Sequence, residues 1–168
     1  MHRILVVGSN GQLGSEIREL TKDDNSNKYF YTDVTELDIT DKSAVSIFVE
    51  DNQIDIIINC AAYTQVDKAE DDKETAYLIN ATAPQNLAEV SAKFNATLFH
   101  ISTDYVFDGS NSTPYTESES TTPLGVYGKS KLKSEKLIQE SGCSHIIIRT
   151  SWLYSSFGNN FVKTIGKL

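Results

Sequence analysis

The 168-residue sequence predicts an α/β fold in which a doubly wound parallel sheet carries helices on both faces. Short apolar runs alternate with longer stretches whose apolar residues recur at helical intervals, and no internal repeat interrupts that alternation. Strands that alternate with helices imply right-handed crossovers and a parallel sheet. The length fits one domain over residues 1–168 with a single core.

The composition is that of an ordinary globular protein and argues against two kinds of partner. The formal net charge is −8 at pH 7, and no cluster of Lys and Arg is present to neutralise the phosphates of a nucleic acid. No apolar run is long enough for a membrane span or for the core of a signal peptide. Two cysteines are not a disulfide framework, so we expect a reducing, cytoplasmic location.

A glycine-rich turn follows the first predicted strand, the apolar run over 4–7. Behind the turn, apolar residues recur at helical spacing, at Leu13, Ile17 and Leu20. Glycines let the backbone turn tightly and approach a pyrophosphate, which binds at the positive end of the following helix. The pattern therefore predicts a Rossmann-like dinucleotide site rather than a plain turn. Its glycines are Gly8, Gly11 and Gly14.

Asp33 ends the second predicted strand, which covers 29–32. It lies about 20 residues beyond the glycine turn, where an acidic residue hydrogen-bonds the adenine ribose of a bound dinucleotide. A carboxylate at this position repels a 2′-phosphate, which favours NADH over NADPH. The alternative is that Asp33 caps a loop in an Asp-rich region.

The middle of the chain continues the alternation of strands and helices. We predict a short third strand over 37–39, then a helix capped by Thr40 or Asp41 that turns Val45, Phe48 and Val49 inward. A central strand over 54–60 leads into small residues at 61–62, and the acidic run 70–74 is expected to be solvated. Pro84 should kink or split a helix over 75–94. Further strands are predicted at 97–101 and 146–148, separated by a long Ser- and Thr-rich loop.

Tyr127 and Lys131 offer a proton donor and its activator, because residues four apart share one face of a helix. A phenol is a poor acid-base catalyst at neutral pH, but a nearby ammonium favours the phenolate and lowers the pKa of the tyrosine. Such a pair can transfer a proton near neutral pH. The alternative is a solvated helix turn.

Four motifs in this order resemble the extended short-chain dehydrogenase/reductase superfamily: the glycine turn, Asn59 to Thr64, Ser102-Thr103-Asp104 and the Tyr127/Lys131 pair. Within it, the longer strings at 60–70, 102–109, 127–131, 149–154 and 158–161 closely resemble the dTDP-4-dehydrorhamnose reductase family. The resemblance covers the whole chain. It does not cover the C-terminal part of that family, which completes the nucleotide-sugar site. Phe161, Ile165 and Leu168 look like one face of a helix that stops without a cap, so we expect that the natural protein continues.

The resemblance implies NADH- or NADPH-dependent reduction of a dTDP-4-keto sugar. Tyr127 would protonate the C4 oxygen, Lys131 would bind the nicotinamide ribose, and Thr103 would hydrogen-bond the substrate oxygen. Asp104 and Trp152 would contact the sugar. The residues implied to line the cofactor, besides the three glycines, Tyr127 and Lys131, are Asn10, Gln12, Leu13, Asp33, Asp38, Ile39, Ala61, Ala62 and Tyr63.

Three functions remain open at this stage. Besides the rhamnose-pathway reductase, they are another sugar-nucleotide epimerase or reductase, and a binding or regulatory subunit without chemistry. A dehydratase is disfavoured, because the relatives that eliminate water have Asp-Glu after the threonine, whereas Asp104 is followed by Tyr105. Family members that form homodimers through Mg²⁺ do so with the C-terminal part, so we predict no metal ligand in this sequence.

Overall fold

The sheet has five parallel strands in the order β2-β1-β3-β4-β5, in a computed structural model that describes residues 1–166. The strands are β1 Arg3–Val7, β2 Lys28–Thr32, β3 Ile56–Asn59, β4 Thr97–Thr103 and β5 Ser144–Thr150. The helices are α1 Gln12–Leu20, α2 Lys42–Asn52, α3 Lys73–Tyr77, α4 Ala83–Phe94, α5 Val126–Glu140 and α6 Phe161–Ile165. A single-turn π-helix, Leu78–Thr82, joins α3 to α4.

Alternate residues of β1 face opposite sides of the sheet, and helices cover both sides. Leu5 points into the main core with Phe30, which packs edge-to-face on Phe48 of α2. The neighbouring pair on the opposite face is Val6 and Tyr31, and Arg18 of α1 lies 4.8 Å above the Tyr31 ring. The predicted α/β sheet with helices on both faces is therefore confirmed.

The main core lies between the sheet and α2, α4 and α5. Its fully buried members include Val45 and Val49, as predicted, whereas Leu20 of α1 is exposed and does not continue the predicted apolar side of that helix. Phe161 and Ile165 are exposed on α6, and Leu168 lies outside the described residues. The core residues are Leu5, Val7, Leu37, Ile39, Val45, Val49, Ile54, Ile57, Ala83, Leu87, Ala88, Val90, Leu98, Ile138 and Cys143.

The predicted strand over 37–39 is wrong. Two consecutive amides, those of Glu36 and Leu37, bond the carbonyl oxygen of Asp33, and the Asp38 carboxylate accepts from Thr40, so the backbone forms turns and pairs with no strand. Leu37 and Ile39 are buried all the same, which explains their apolar character. Asp41 caps α2 through the amides of Ser43 and Ala44, as predicted.

Two other features of the middle of the chain bear on the site. Pro84 lies in the first turn of α4, after the π-helix, so the predicted split of the helix is confirmed. The acidic run is not merely solvated: Glu70 accepts a 2.7 Å hydrogen bond from the amide of Val126, the first residue of α5. The strand predicted over 54–60 is shorter than expected, and those at 97–101 and 146–148 are longer.

The carboxyl ends of β1, β3, β4 and β5 meet at one edge of the sheet. Strand order reverses between β1 and β3, since β2 lies on the far side of β1. In open α/β sheets ligands bind in the crevice at such a reversal. No helix within residues 1–166 is long and apolar enough to cross a membrane.

Candidate active site

Two cavities meet at the crevice between the ends of β1 and β3. One, of about 610 Å³, extends towards the end of β2, and the other, of about 490 Å³, extends towards β4, β5 and α5. Both are lined by Gly11 and by the segment 60–62. A ligand that filled both would have the extended shape of a dinucleotide.

The glycine turn packs against the end of β3. Gly8 has a φ of +69°, and a Cβ there would lie 2.5 Å from the amide nitrogen of Ala61. A Cβ on Gly14 would lie 2.5 Å from the Cα of Ser9. Gly11 differs, because it is exposed and a Cβ would meet only the oxygen of Gly8, at 3.3 Å. The first and third glycines therefore serve internal packing, whereas the second leaves backbone open to a ligand.

Asp33 stands at the far end of the 610 Å³ cavity. Its carboxylate accepts hydrogen bonds from the amides of Asn10, at 3.0 Å, and Val34, at 2.9 Å, so it is tied to the glycine turn. Asp38 also lines this cavity, and the lining contains no Lys, Arg or His. The two acidic residues therefore share a cavity whose lining carries no cationic side chain.

The predicted segment Ala61 to Tyr63 is held in place by a buried amide that sequence reasoning missed. Asn80, in the π-helix, accepts from the amide of Tyr63 at 2.8 Å and donates to its carbonyl oxygen at 3.0 Å. The same amide group donates to Ser130 of α5 at 3.1 Å. Asn80 thereby joins the cofactor segment to the helix that carries Tyr127. Its sequence signal was weak, since a polar residue within a helical pattern reads as solvated.

The structure brings Tyr127, Lys131 and Thr103 together in the lining of the 490 Å³ cavity. Thr103 ends β4, and its hydroxyl donates to the Asp104 carboxylate at 3.0 Å. Lys131 is only 2% exposed, and its Nζ donates to the carbonyl oxygen of Ile101 at 2.6 Å. One helix and one strand end therefore bring the three side chains to the same space. Gln12, Leu13 and Trp152 line it too.

The charges of this pair differ from the expectation in one respect. Burial raises the pKa of Tyr127; a hydrogen bond with Thr103 opposes this rise, and nearby Asp104 and Tyr105 add to it, so the net shift is upward and not the net lowering that was expected. Burial lowers the pKa of Lys131 from 10.5 to about 8, against the opposing effect of Glu135. At neutral pH the site thus combines a protonated phenol with a lysine that is still charged.

Burial also raises the pKa of Cys60 to about 12, which keeps that thiol unreactive.

Asp104 and Trp152 lie at the open side of the cavity. Trp152 is 62% exposed, has a left-handed backbone with φ of +52°, and packs against Phe161 at a centroid distance of 4.8 Å. An exposed ring held in this way offers a flat apolar surface to a ligand.

Within the described residues no group of three or more His, Cys, Asp and Glu side chains could hold a metal ion, so magnesium gains no support.

Buried polar residues behind the cavity were not foreseen either. His100 and Glu135 are almost fully buried, as is Ser134. Glu135 accepts from Ser102 and pairs with Arg149 through two hydrogen bonds. These side chains come from different strands and one helix, so no local sequence pattern connects them.

The whole chain, residues 1–168, matches the family described as the RmlD substrate binding domain. A protein of Aggregatibacter actinomycetemcomitans named dTDP-4-dehydrorhamnose reductase is 44% identical over all of this chain and 57% of its own length. The chain therefore spans little more than half of that relative.

Two solved structures are also similar. A Clostridium acetobutylicum dTDP-4-dehydrorhamnose reductase superposes with a TM-score of 0.94 at 45% identity, covering 98% of this chain and 58% of that protein. A Bacillus anthracis protein of the same name, solved in complex with NADP, gives a TM-score of 0.96 at 42% identity, covering 99% and 59%.

Proposed function

The chain belongs to the RmlD substrate binding domain family, and from that membership we propose that it supplies the cofactor site and catalytic residues of an NAD(P)H-dependent reductase. The substrate is dTDP-4-dehydro-L-rhamnose, and reduction of its C4 keto group gives dTDP-L-rhamnose. The observation that carries the proposal is that Tyr127, Lys131 and Thr103 line one cavity with Gly11 of the glycine turn.

The glycine turn fits the pyrophosphate of a dinucleotide. The first turn of α1 contains no acidic residue, and its N-cap residue, Gly11, has no side chain to cap the helix. The amides and the positive end of the helix dipole are thus left for an anion. A bound nicotinamide dinucleotide would supply the hydride. The residues that would hold it, or shape the turn and segment around it, are Gly8, Asn10, Gly11, Gln12, Leu13, Gly14, Asp33, Asp38, Ile39, Ala61, Ala62, Tyr63, Tyr127 and Lys131.

Asp33 supports a preference for NADH over NADPH in this chain. Its carboxylate is fixed by two backbone amides at the end of the cavity, and none of the side chains that line that cavity is cationic. A 2′-phosphate would meet negative charge without a compensating guanidinium or ammonium. The Bacillus anthracis relative was solved with NADP, so the preference is a property proposed for this sequence and not for the family.

Tyr127 donates the proton that reduction requires. Hydride addition at C4 places negative charge on the former carbonyl oxygen, and a phenol can neutralise that charge by giving up its proton. The raised pKa of Tyr127 keeps the phenol protonated at neutral pH, which is the form needed for this direction of the reaction. Thr103 would donate a second hydrogen bond to the same oxygen once its hydroxyl rotates away from the Asp104 carboxylate, to which it donates in the structure. Lys131 binds the nicotinamide ribose and stabilises the tyrosinate left after proton transfer.

Asp104 and Trp152 bind the sugar. Asp104 is exposed beside Thr103, where its carboxylate can accept from sugar hydroxyls, and Trp152 offers the exposed ring described above. Tyr105, whose ring lies 5.6 Å from that of Tyr127, occupies the position at which dehydratases resembling this chain carry a second carboxylate. This arrangement supports reduction over elimination of water.

Two measurements test the proposal at separate levels. Calorimetry with NADH on the 168-residue chain tests the cofactor site, and absence of saturable binding would contradict it. Turnover is measured in a protein that carries these residues together with the C-terminal part of its relatives. We expect NADH oxidation with the dTDP-4-keto sugar. Preferred turnover of GDP-sugars would favour another epimerase or reductase, and cofactor binding without turnover would favour a regulatory subunit. We expect the 168-residue chain alone to bind the dinucleotide but to reduce the sugar poorly.

A further inference from the structure

We propose that His100 is a positioning residue for Lys131, acting through a buried hydrogen-bond chain that runs from Ala61 through Asn59, His100 and Ser134. These hydrogen bonds keep His100 neutral with its proton on Nε2. The protonated Nε2 directs the hydrogen bonds of the lysine ammonium away from the core and towards the cavity. The inference rests on the proposed function only in assigning Lys131 to the dinucleotide site.

His100 lies in the middle of β4 and is 0% exposed. Its Nδ1 is 3.1 Å from Nδ2 of Asn59 on β3, and its Nε2 is 3.0 Å from Oγ of Ser134 on α5. The Nζ of Lys131 lies 3.4 Å from the same Nε2. All four side chains are buried, so each polar atom needs a partner within the protein, and a mismatched donor would cost free energy.

The groups at the two ends of the hydrogen-bond chain decide which atom donates and which accepts at each step. The amide of Ala61 can only donate, and it donates to Oδ1 of Asn59 at 3.0 Å, so Nδ2 of Asn59 faces His100 and donates to Nδ1. Ser134 donates to the carbonyl oxygen of Lys131 at 2.6 Å, so its oxygen accepts from Nε2–H of His100. These hydrogen bonds therefore assign the Nε2–H tautomer to His100.

A charged His100 is incompatible with this chain of hydrogen bonds. An imidazolium would turn an N–H at Nδ1 towards the NH₂ group of Asn59, which would place two donors against each other. Burial also disfavours protonation of His100, and so does Lys131, the charged group that contacts the ring among the described residues. Glu135, one turn further along α5, bonds Ser102 and Arg149 instead of the histidine.

The consequence for Lys131 is that His100 offers it no lone pair. Because Nε2 carries a proton, the ammonium donates to the carbonyl oxygen of Ile101 and keeps its other N–H bonds for the cavity that it lines with Tyr127. A histidine with the opposite tautomer would accept from the ammonium and draw it into the core. The hydrogen-bond chain thus orients Lys131 towards the cavity.

The first test reads the tautomer directly by ¹⁵N NMR of the histidines in the 168-residue chain. His2 and His145 are assigned from their glutamine variants, which leaves His100 as the third histidine. We expect a neutral ring with Nε2–H that does not titrate between about pH 5 and pH 8. An imidazolium signal or an Nδ1–H tautomer would overturn the proposal.

The second test reads the effect on Lys131 through its ¹³Cε signal, assigned by Lys131→Arg, and through the affinity for NADH. Ser134→Ala removes one hydroxyl from the chain and His100→Phe removes both ring hydrogen bonds. Both should shift the lysine signal, and His100→Phe should weaken NADH binding about tenfold, the size of one charge-assisted hydrogen bond. His100→Gln should restore part of the affinity, since its amide can still donate to Ser134.

Leu98→Val is the matched control, because Leu98 is buried on the same face of β4 two residues away and makes no polar contact with Lys131. It should lower thermal stability and leave both readouts unchanged. An equal shift of the Lys131 signal in Leu98→Val, or none in Ser134→Ala, would reduce His100 to a packing residue. Failure of the wild-type chain to bind NADH would count against the proposed function, while the NMR readouts would still decide the role of His100.

Discussion

Gly128 of α5 lies against the backbone of Tyr105, so closely that a Cβ on the glycine would overlap the tyrosine carbonyl oxygen. Tyr105 belongs to the turn that follows β4, and Gly128 is the next residue after Tyr127. This contact sets how near the helix comes to the strand end. It therefore sets the separation between Tyr127 and Thr103, on which the proposed chemistry depends.

Gly128→Ala should push α5 away from the turn. Overpacking of this kind costs about 1 to 3 kcal/mol, and the better helix propensity of alanine returns at most about 1 kcal/mol of that. We expect a lower free energy of unfolding by urea denaturation and, in the longer protein, a larger loss of kcat than of affinity for NADH. Lys129→Ala, at an exposed position of the same helix, is the control. Full activity of Gly128→Ala would show that the contact does not position Tyr127.

Tyr127→Phe should remove the proton donor while keeping the ring. In the longer protein we expect kcat to fall by a factor of about 100 or more, since general acid catalysis contributes on that scale, with little change in NADH affinity. Tyr105→Phe is the matched control because it removes a phenol hydroxyl from the neighbouring ring. Equal losses in the two variants would argue that neither hydroxyl is the specific donor.

Asp33→Asn should change the choice between the two dinucleotides. The amide keeps only one of the two acceptor oxygens, so it can accept from the backbone of Asn10 or of Val34 but not from both, and it no longer repels a 2′-phosphate. We expect the ratio of NADH to NADPH affinity, measured by calorimetry on the 168-residue chain, to fall about tenfold, equivalent to about 1.4 kcal/mol. Asp38→Asn, in the same cavity, should have a smaller effect. A ratio unchanged in Asp33→Asn would remove Asp33 as the selecting residue.

Lys131→Met should stabilise the chain at neutral pH, because a buried ammonium carries a cost that an apolar side chain of similar length avoids. The lowered pKa, from 10.5 to about 8, corresponds to about 3 kcal/mol, and loss of the hydrogen bond to Ile101 offsets part of it. The net gain should be roughly 1 to 2 kcal/mol, together with weaker NADH binding.

The pH dependence of that difference follows from the sign of the shift. Between about pH 8 and pH 10.5 the folded state binds fewer protons at Lys131 than the unfolded state, so the wild-type chain gains stability relative to Lys131→Met as the pH rises. The advantage of the variant should therefore shrink across this window and be largest below it. Lys133→Met, exposed on the same helix, should show no such trend. A constant advantage would contradict the lowered pKa.

Glu70→Ala should destabilise α5 by about 1 kcal/mol, since the carboxylate accepts from the amide of Val126 at the positive end of the helix. Glu74→Ala, an exposed acidic residue a few positions later, is the control for the change in charge. Thermal unfolding of both variants in low salt gives the comparison. Equal stability of the two would show that the cap contributes nothing measurable.

Much of the fold could be predicted from the sequence because it depends on local patterns. Apolar runs in the sequence indicated the strands β1, β3 and β4. Local rules also predicted the cap at Asp41 and the break at Pro84, and the glycine spacing located the turn that joins β1 to α1. The strand predicted over 37–39 failed because burial alone does not make a strand. Those residues reach the core from turns, and no neighbouring strand pairs with them.

The sequence by itself determined the parallel α/β sheet, the glycine turn and the presence of Tyr127 and Lys131 on one helix. Only the tertiary structure decided their electrostatic state. Burial reverses the expected direction of the pKa shift at Tyr127, and the hydrogen bonds beside Lys131 link Asn59, His100 and Ser134 from three separate elements. Desolvation and hydrogen bonds across the sheet depend on which residues meet in space, and spacing along the chain carries no record of that.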